Sequence, residues 1–208
     1  MLTAWARRTF RSLLETIARG FARLGLTPNQ LTLSGLLLQA GVAIVIARGY
    51  LALAGWLLIA SAVFDAFDGT LARLTGQSSR FGAFLDATLD RYAEVLTLGG
   101  LLWYVSATGS SRLEVLLIYA ALAGSLLVSY TRAKAESLQI ACNEGLLTRA
   151  ERVALLVLGL LLAHWQPLAQ GPRFLTLILF VLAILSNVTA LQRIIAVYRS
   201  THGERSPS

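Results

Sequence analysis

The chain has 208 residues, of which 56% are hydrophobic and only 14% charged, whereas soluble domains carry about 25% charged residues. That composition excludes a water-soluble globule and a disordered chain, and a single cysteine, Cys142, excludes a disulfide scaffold. A net charge of +7 would suit nucleic acid, but the basic residues form short clusters between long uncharged stretches, as in the loops of an integral membrane protein. No nucleic-acid partner is expected.

The first 26 residues read as an amphipathic helix rather than a cleavable signal peptide. They lack an uninterrupted apolar centre and a small-residue cleavage site. Phe10, Leu13, Leu14, Ile17, Phe21 and Leu24 fall within an arc of about 100° of a helical wheel. Arg7, Arg8, Arg11, Glu15, Arg19 and Arg23 take the other side. Such a helix is expected to lie in the membrane interface, held by apolar burial and by anionic lipid.

Thr27-Pro28 then reads as a helix start, with proline at the first helical position. Six stretches follow that are free of charge for most of their length: 31–48, 51–72, 82–107, 113–133, 152–167 and 174–196. Crossing the hydrocarbon core takes roughly 20 apolar residues. The breaks are turn formers: Arg48-Gly49-Tyr50, Gly76-Gln77-Ser78-Ser79, Thr108-Gly109-Ser110-Ser111, Asn143-Glu144-Gly145 and Gly171-Pro172. The expected fold is an all-α integral membrane protein, a six-transmembrane-helix bundle forming one domain over 27–200, with a disordered tail over 201–208. Threading it with both termini cytoplasmic leaves Arg48, Arg112 and Arg173 outside. The other fifteen of the eighteen Lys and Arg residues then fall on the cytoplasmic side, as expected for a multi-pass protein of the cytoplasmic membrane.

The four aspartates of the chain, Asp65, Asp68, Asp86 and Asp90, all lie within 26 residues, in or beside predicted spans. An ionised carboxylate at mid-membrane costs about 2.5–3.5 kcal/mol even on insertion scales, and four together repel one another. Something cationic belongs among them. Asp65, Asp68, Gly69 and Ala72 share one stripe of the second span. Gly82, Asp86 and Asp90 follow an i, i+4, i+8 ridge on the third. The tight turn at 76–79 makes these helices antiparallel neighbours, and the small residues leave room for a ligand beside the acids. The donors are all hard oxygens, with His164 and His202 distant, which favours Mg²⁺ or Mn²⁺, or Ca²⁺, over Zn²⁺ or copper. Four carboxylates suffice for two ions sharing a bridging residue, an arrangement that clamps phosphate oxygens during displacement at phosphorus. Phosphoryl chemistry on a lipid at the cytoplasmic boundary follows as the expectation.

The run D65-A-F-D68-G69-T-L-A72-R73, eight further residues, then G82-A-F-L-D86-A-T-L-D90 resembles the signature of the CDP-alcohol phosphatidyltransferases at all eight of its fixed positions. The resemblance extends to the six spans and the amphipathic first helix. It implies attack of a hydroxyl on the lipid-linked phosphorus of CDP-diacylglycerol, forming a phosphodiester and releasing CMP. It implies a metal pair held by Asp65, Asp68 and Asp86, with Asp90 as a further ligand or the general base. Asp90 stands one turn beyond Asp86, within reach of an incoming hydroxyl. Gly69, Ala72, Arg73 and Gly82 would form the CDP pocket with Asp65 and Asp68. T27-P28-N29-Q-L-T32 resembles the family's Pro-x-x-x-Thr element, whose Asn29 and Thr32 would contact the nucleotide or its diphosphate. A homodimer is implied by the resemblance alone.

For the acceptor, S129-Y-T-R132-A-K134-A-E136, N143-E-G145 and R149-A-E-R152 resemble the bacterial phosphatidylinositol-phosphate synthase branch. There, basic residues at matching places hold the phosphate of inositol phosphate. Arg132, Lys134, Arg149 and Arg152 are the corresponding candidates, a cluster that suits an anionic polyol phosphate. Glycerol 3-phosphate would ask for a similar cluster; free inositol or serine would not. A cation transporter, the reading from a different class, would spread polar groups along a path through the bilayer. Here the acids collect at one end of the spans. A non-catalytic helper bundle would not need four aspartates, and no Ser-His-Asp or Cys-His set is present.

Overall fold

The structure is a computed structural model and describes residues 2–109, 111–142, 145–163 and 174–203. Among these there are seven helices and no strands. They are α1 (Leu2–Arg23), α2 (Pro28–Ala47), α3 (Leu51–Thr75), α4 (Arg80–Ala107), α5 (Arg112–Ser137), α6 (Arg149–Ala163) and α7 (Phe174–Gly203). Asn143-Glu144, His164, Gly171-Pro172, Arg173 and the end of the fifth apolar stretch lie outside the described residues, as do the side chains of Arg7, Arg8, Phe10 and Arg11.

Four helices, α2, α3, α5 and α7, are long and apolar enough to cross a membrane. α4 has 28 residues but carries Asp86, Asp90, Arg91 and Glu94 within its first fifteen, and α6 is described over 15 residues. The tail expected to be disordered begins at Thr201. α7 runs on through Gly203, with the Thr201 hydroxyl and the His202 ring reaching back to the carbonyls of Val197 and Tyr198. Residues 204–208 lie outside the described ones.

Local chemistry sets the helix ends around the acidic region. Thr27 caps α2 through a capping box: its hydroxyl accepts from Gln30 N at 3.4 Å, while Gln30 Oε1 accepts from Thr27 N at 2.9 Å. Pro28 follows at the first helical position, as expected. Gly76 ends α3 in the left-handed region, φ 66°, which only glycine enters without strain. Ser79 then caps α4 by accepting from Gly82 N at 2.9 Å.

α2 packs against both α3 and α4, α5 against α7, and α6 lies between α3 and α7. The core runs through Val42, Ile46, Leu58, Leu101, Ile118, Leu160 and Leu179. α2 and α4 meet where a Cβ on Gly100 would strike the backbone carbonyl of Ala43. This close approach carries the start of α2 to the acidic face of α4. α1 docks on α3 through Leu14, Ala18 and Phe21, which pack on Leu31, Phe64, Phe67 and Leu71. The three phenylalanine rings meet edge to face. Of the rest of its apolar arc, Leu13, Ile17 and Leu24 stay exposed. The apolar arc is therefore divided, because the small Ala18 lets α1 sit close to the bundle on one edge of it.

Candidate active site

Asp65 and Asp68 come from the last turns of α3, and Asp86 and Asp90 from the first turns of α4. All four line one narrow cleft with Thr32, Gly35 and Gln39 of α2. The Thr32 hydroxyl donates to Asp68 Oδ2 at 2.9 Å, and Gly69 N donates to Asp68 Oδ1 at 2.5 Å. Asp65 lies so close to α2 that a Cβ on Gly35 would stand 2.9 Å from its Oδ1.

Four clustered carboxylates demand positive charge, and α6 supplies some. Arg149 Nη1 stands 2.9 Å from Asp90 Oδ1 and its Nη2 3.6 Å from Asp65 Oδ2. Arg91 is more remote, 3.9 Å from Asp90 Oδ2. Among the described residues no three metal-binding side chains close on one point. The donor set itself, carboxylates and a hydroxyl around one cleft, is that of a hard divalent cation, so the residues present fit such an ion.

Next to this cleft opens a cavity of about 230 Å³, lined by Pro28, Asn29, Thr32, Asp68, Gly69, Ala72, Arg73, Gly82 and Asp86. Seven of the eight residues expected to hold CDP thus share one cavity, and the eighth, Asp65, lies in the adjoining cleft. Gly82 is hemmed in: a Cβ there would meet Ser79 Oγ at 3.1 Å and Asn29 Oδ1 at 3.2 Å. The Arg73 guanidinium is tied back to the Thr70 hydroxyl at 3.2 Å.

The acceptor candidates do not form one cluster. Arg149 reaches the aspartates. Arg152 turns away and is buried, its Nη2 2.7 Å from Glu94 Oε1. Arg132 is exposed and paired with Glu136 at 2.8 Å. Lys134 is exposed, and two helical positions from Arg132 it sits on nearly the opposite face of α5.

The family model of the CDP-alcohol phosphatidyltransferases matches residues 25–190, which takes in α2 to α6 and most of α7. The chain belongs to that family. It is 33% identical over 199 residues to the phosphatidylinositol phosphate synthase of Mycobacterium marinum, covering 94% of this chain and 83% of that one. Among solved structures it resembles the Mycobacterium tuberculosis phosphatidylinositol phosphate synthase with CDP-DAG bound, with a TM-score of 0.84 and 31% identity over 90% of this chain and 94% of that one. The same enzyme in complex with manganese and citrate gives a TM-score of 0.82 and 32% identity, over 89% and 88% of the two chains.

This phosphatidyltransferase also brings to the site residues that sequence reading missed. Glu94 extends the Asp86–Asp90 ridge by one more turn, and its carboxylate oxygens accept from Arg152 and from Ser125 Oγ. Its signal was present, since an acid in an apolar stretch is expensive whether it is Asp or Glu. Arg193 of α7 is buried and donates to Val128 O at 2.5 Å. It is near enough to Arg132 and Arg152 to feel both charges. No local pattern announces it, because its neighbours come from α5, α6 and the segment between them.

Proposed function

We propose that the protein is a phosphatidylinositol-phosphate synthase. It transfers the phosphatidyl group of CDP-diacylglycerol to a hydroxyl of inositol 1-phosphate and releases CMP. The observation that carries this is the adjacency of the four-aspartate cleft to the glycine-walled cavity, with Arg149 reaching into the acids from α6. The printed names of relatives that match nearly end to end support the same acceptor.

In this reading Asn29, Thr32, Gly69, Ala72, Arg73 and Gly82 receive the cytidine nucleotide, the small residues giving it room. Asp65, Asp68, Asp86 and Asp90 would hold two divalent ions, Mg²⁺ or Mn²⁺, which when bound polarise the diphosphate and neutralise charge on the leaving CMP. Thr32 keeps Asp68 oriented from behind. Arg149 and Arg152, helped by Arg132 and Lys134, attract the acceptor's phosphate. As the acceptor oxygen bonds to the lipid-linked phosphorus, the bond to CMP breaks and Asp90 takes the hydroxyl proton.

The protein works in the cytoplasmic membrane as a homodimer embedded in membrane lipid, with six spans and both termini and the site on the cytoplasmic side. Residues 1–26 lie in the interface, and 27–200 form the catalytic domain. The divided face of α1, docked at Leu14, Ala18 and Phe21 and exposed at Leu13, Ile17 and Leu24, supports a helix between bundle and lipid. The test is CMP release by purified protein given CDP-diacylglycerol and Mg²⁺ with inositol 1-phosphate, glycerol 3-phosphate, inositol or serine. Release with inositol 1-phosphate alone is expected. Release with glycerol 3-phosphate alone would move the acceptor, and silence with all four would overturn the reading.

A further inference from the structure

α4 carries Asp86, Asp90 and Glu94 at i, i+4 and i+8, and α6 answers the last two. Arg149 pairs with Asp90 at 2.9 Å, and Arg152 with Glu94 at 2.7 Å. The two rungs differ in depth. The side chains of the first are 35% and 20% exposed, those of the second 7% and 10%. Both oxygens of Glu94 are engaged, Oε1 by Arg152 Nη2 and Oε2 by the Ser125 hydroxyl of α5 at 2.5 Å. Glu94 is therefore fixed from two helices.

Arg152 is not satisfied in the same way. Among the described residues its buried Nε finds no hydrogen-bond partner, and neither does the Nε of Arg149. Both arginines and Glu94 line one cavity of about 50 Å³, to which α2, α3, α4, α5, α6 and α7 all contribute. A guanidinium presents five donors in a rigid fork. One donor tied to a fixed carboxylate sets the plane of the fork and leaves the others for a ligand. A buried arginine without its counter-ion would also be driven out toward solvent.

We propose that Glu94, itself held by Ser125, is a positioning residue that fixes the Arg152 guanidinium for the phosphate of the acceptor. This rests on the reading of Arg152 as an acceptor-binding residue. Glu94 touches neither substrate in this account. It acts on acceptor affinity through Arg152 and leaves the CDP-diacylglycerol cavity, on the far side of the aspartates, undisturbed.

The test measures CMP release by the full chain in mixed micelles with Mg²⁺, varying inositol 1-phosphate and CDP-diacylglycerol separately. Wild-type turnover with a phosphorylated acceptor comes first, and the variants are read on whichever phosphorylated acceptor is used. Wild-type silence with every phosphorylated acceptor overturns the functional reading and this inference together. With an active wild type, E94Q is expected to raise the acceptor KM about tenfold. The KM for CDP-diacylglycerol should stay within about twofold, with kcat at saturating acceptor little changed. E94D, which keeps the charge, should recover part of the loss. S125A removes one hydrogen bond from Glu94 and should raise the acceptor KM about threefold, which keeps the test open if E94Q fails to fold. Equal changes in both KM values, a fall in kcat with both unchanged, or an S125A variant indistinguishable from wild type would overturn the inference while the functional reading stands.

Discussion

Arg149 Nη1 stands 2.9 Å from Asp90 Oδ1, across the gap between α6 and α4, and the same guanidinium reaches Asp65 on α3 at 3.6 Å. One cation thus answers acids from two helices of the recognised signature, from a segment of the chain about sixty residues further on.

Removing that cation should separate two of its effects. R149A is expected to raise the KM for the acceptor several-fold more than that for CDP-diacylglycerol, because the anionic acceptor loses a charge partner. The metal-free protein should also lose a little stability, about 1 kcal/mol or less given how exposed the pair is. Mn²⁺ should then raise the Tm of R149A more than that of wild type, since the ion carries more of the compensation of the acids once Arg149 is gone. Steady-state kinetics and thermal unfolding with and without metal check both. Equal KM effects would make the α6 arginine a loop charge of topology only.

Of the four aspartates, Asp68 has the most complete hydrogen bonding, with Thr32 on one oxygen and Gly69 N on the other. D68N is expected to abolish turnover, since the amide offers a hard cation one neutral oxygen in place of a carboxylate. T32V keeps the shape but removes the donor, and the aspartate loses its orientation. Supporting hydrogen bonds of this kind are worth about 10–100-fold in metal affinity or activity. A loss of about tenfold in T32V, with tighter Mn²⁺ binding in wild type than in the variant, is the expected result. Substantial activity in D68N would remove the metal-pair account.

Gly35 offers a backbone test of the same cleft. A methyl there would stand 2.9 Å from Asp65 Oδ1, so the end of the aspartate side chain must shift. G35A is expected to weaken Mn²⁺ binding, read by titration of the metal, with little change in fold. G41A is the control, because none of the described residues comes within 4 Å of a Cβ at that position. Equal metal affinity in the two variants would show that Asp65 does not hold the ion.

What the sequence made legible was what lies on one helix face. Asp65, Asp68, Gly69 and Ala72, and then Gly82, Asp86 and Asp90, keep fixed intervals on two helices joined by a tight turn, so their meeting follows from periodicity. The acceptor side has no such rule. Arg132 and Lys134 look like a pair in sequence, yet an interval of two turns them to opposite faces of α5. Arg149 and Arg152 do share a face of α6, yet one reaches the aspartates and the other ends on Glu94. Arg193 joins this group only through the packing of α7 on α5. The docking face of α1 was half legible, since hydrophobicity marks Leu14 and Phe21 but not the alanine between them that lets the helix approach.

The geometry of the whole site depends on how closely α2 meets α4, and that contact is testable far from the chemistry. A Cβ on Gly100 would collide with the carbonyl of Ala43, and a backbone atom inside a packed helix cannot swing aside as a side chain can. G100A must therefore part the two helices or bend one of them, at about 1–3 kcal/mol. Since α2 carries Thr32 and Gly35 against the aspartates of α3 and α4, separation at Gly100 should also weaken Mn²⁺ binding. At the neighbouring Gly99 none of the described residues comes within 4 Å of the Cβ position. G99A should be neutral or slightly stabilising, because alanine favours a helix over glycine by about 1 kcal/mol. Thermal unfolding of the two variants in the same detergent, followed by metal titration, is the measurement. A G100A variant as stable as G99A would show that the helices are not held together at that point.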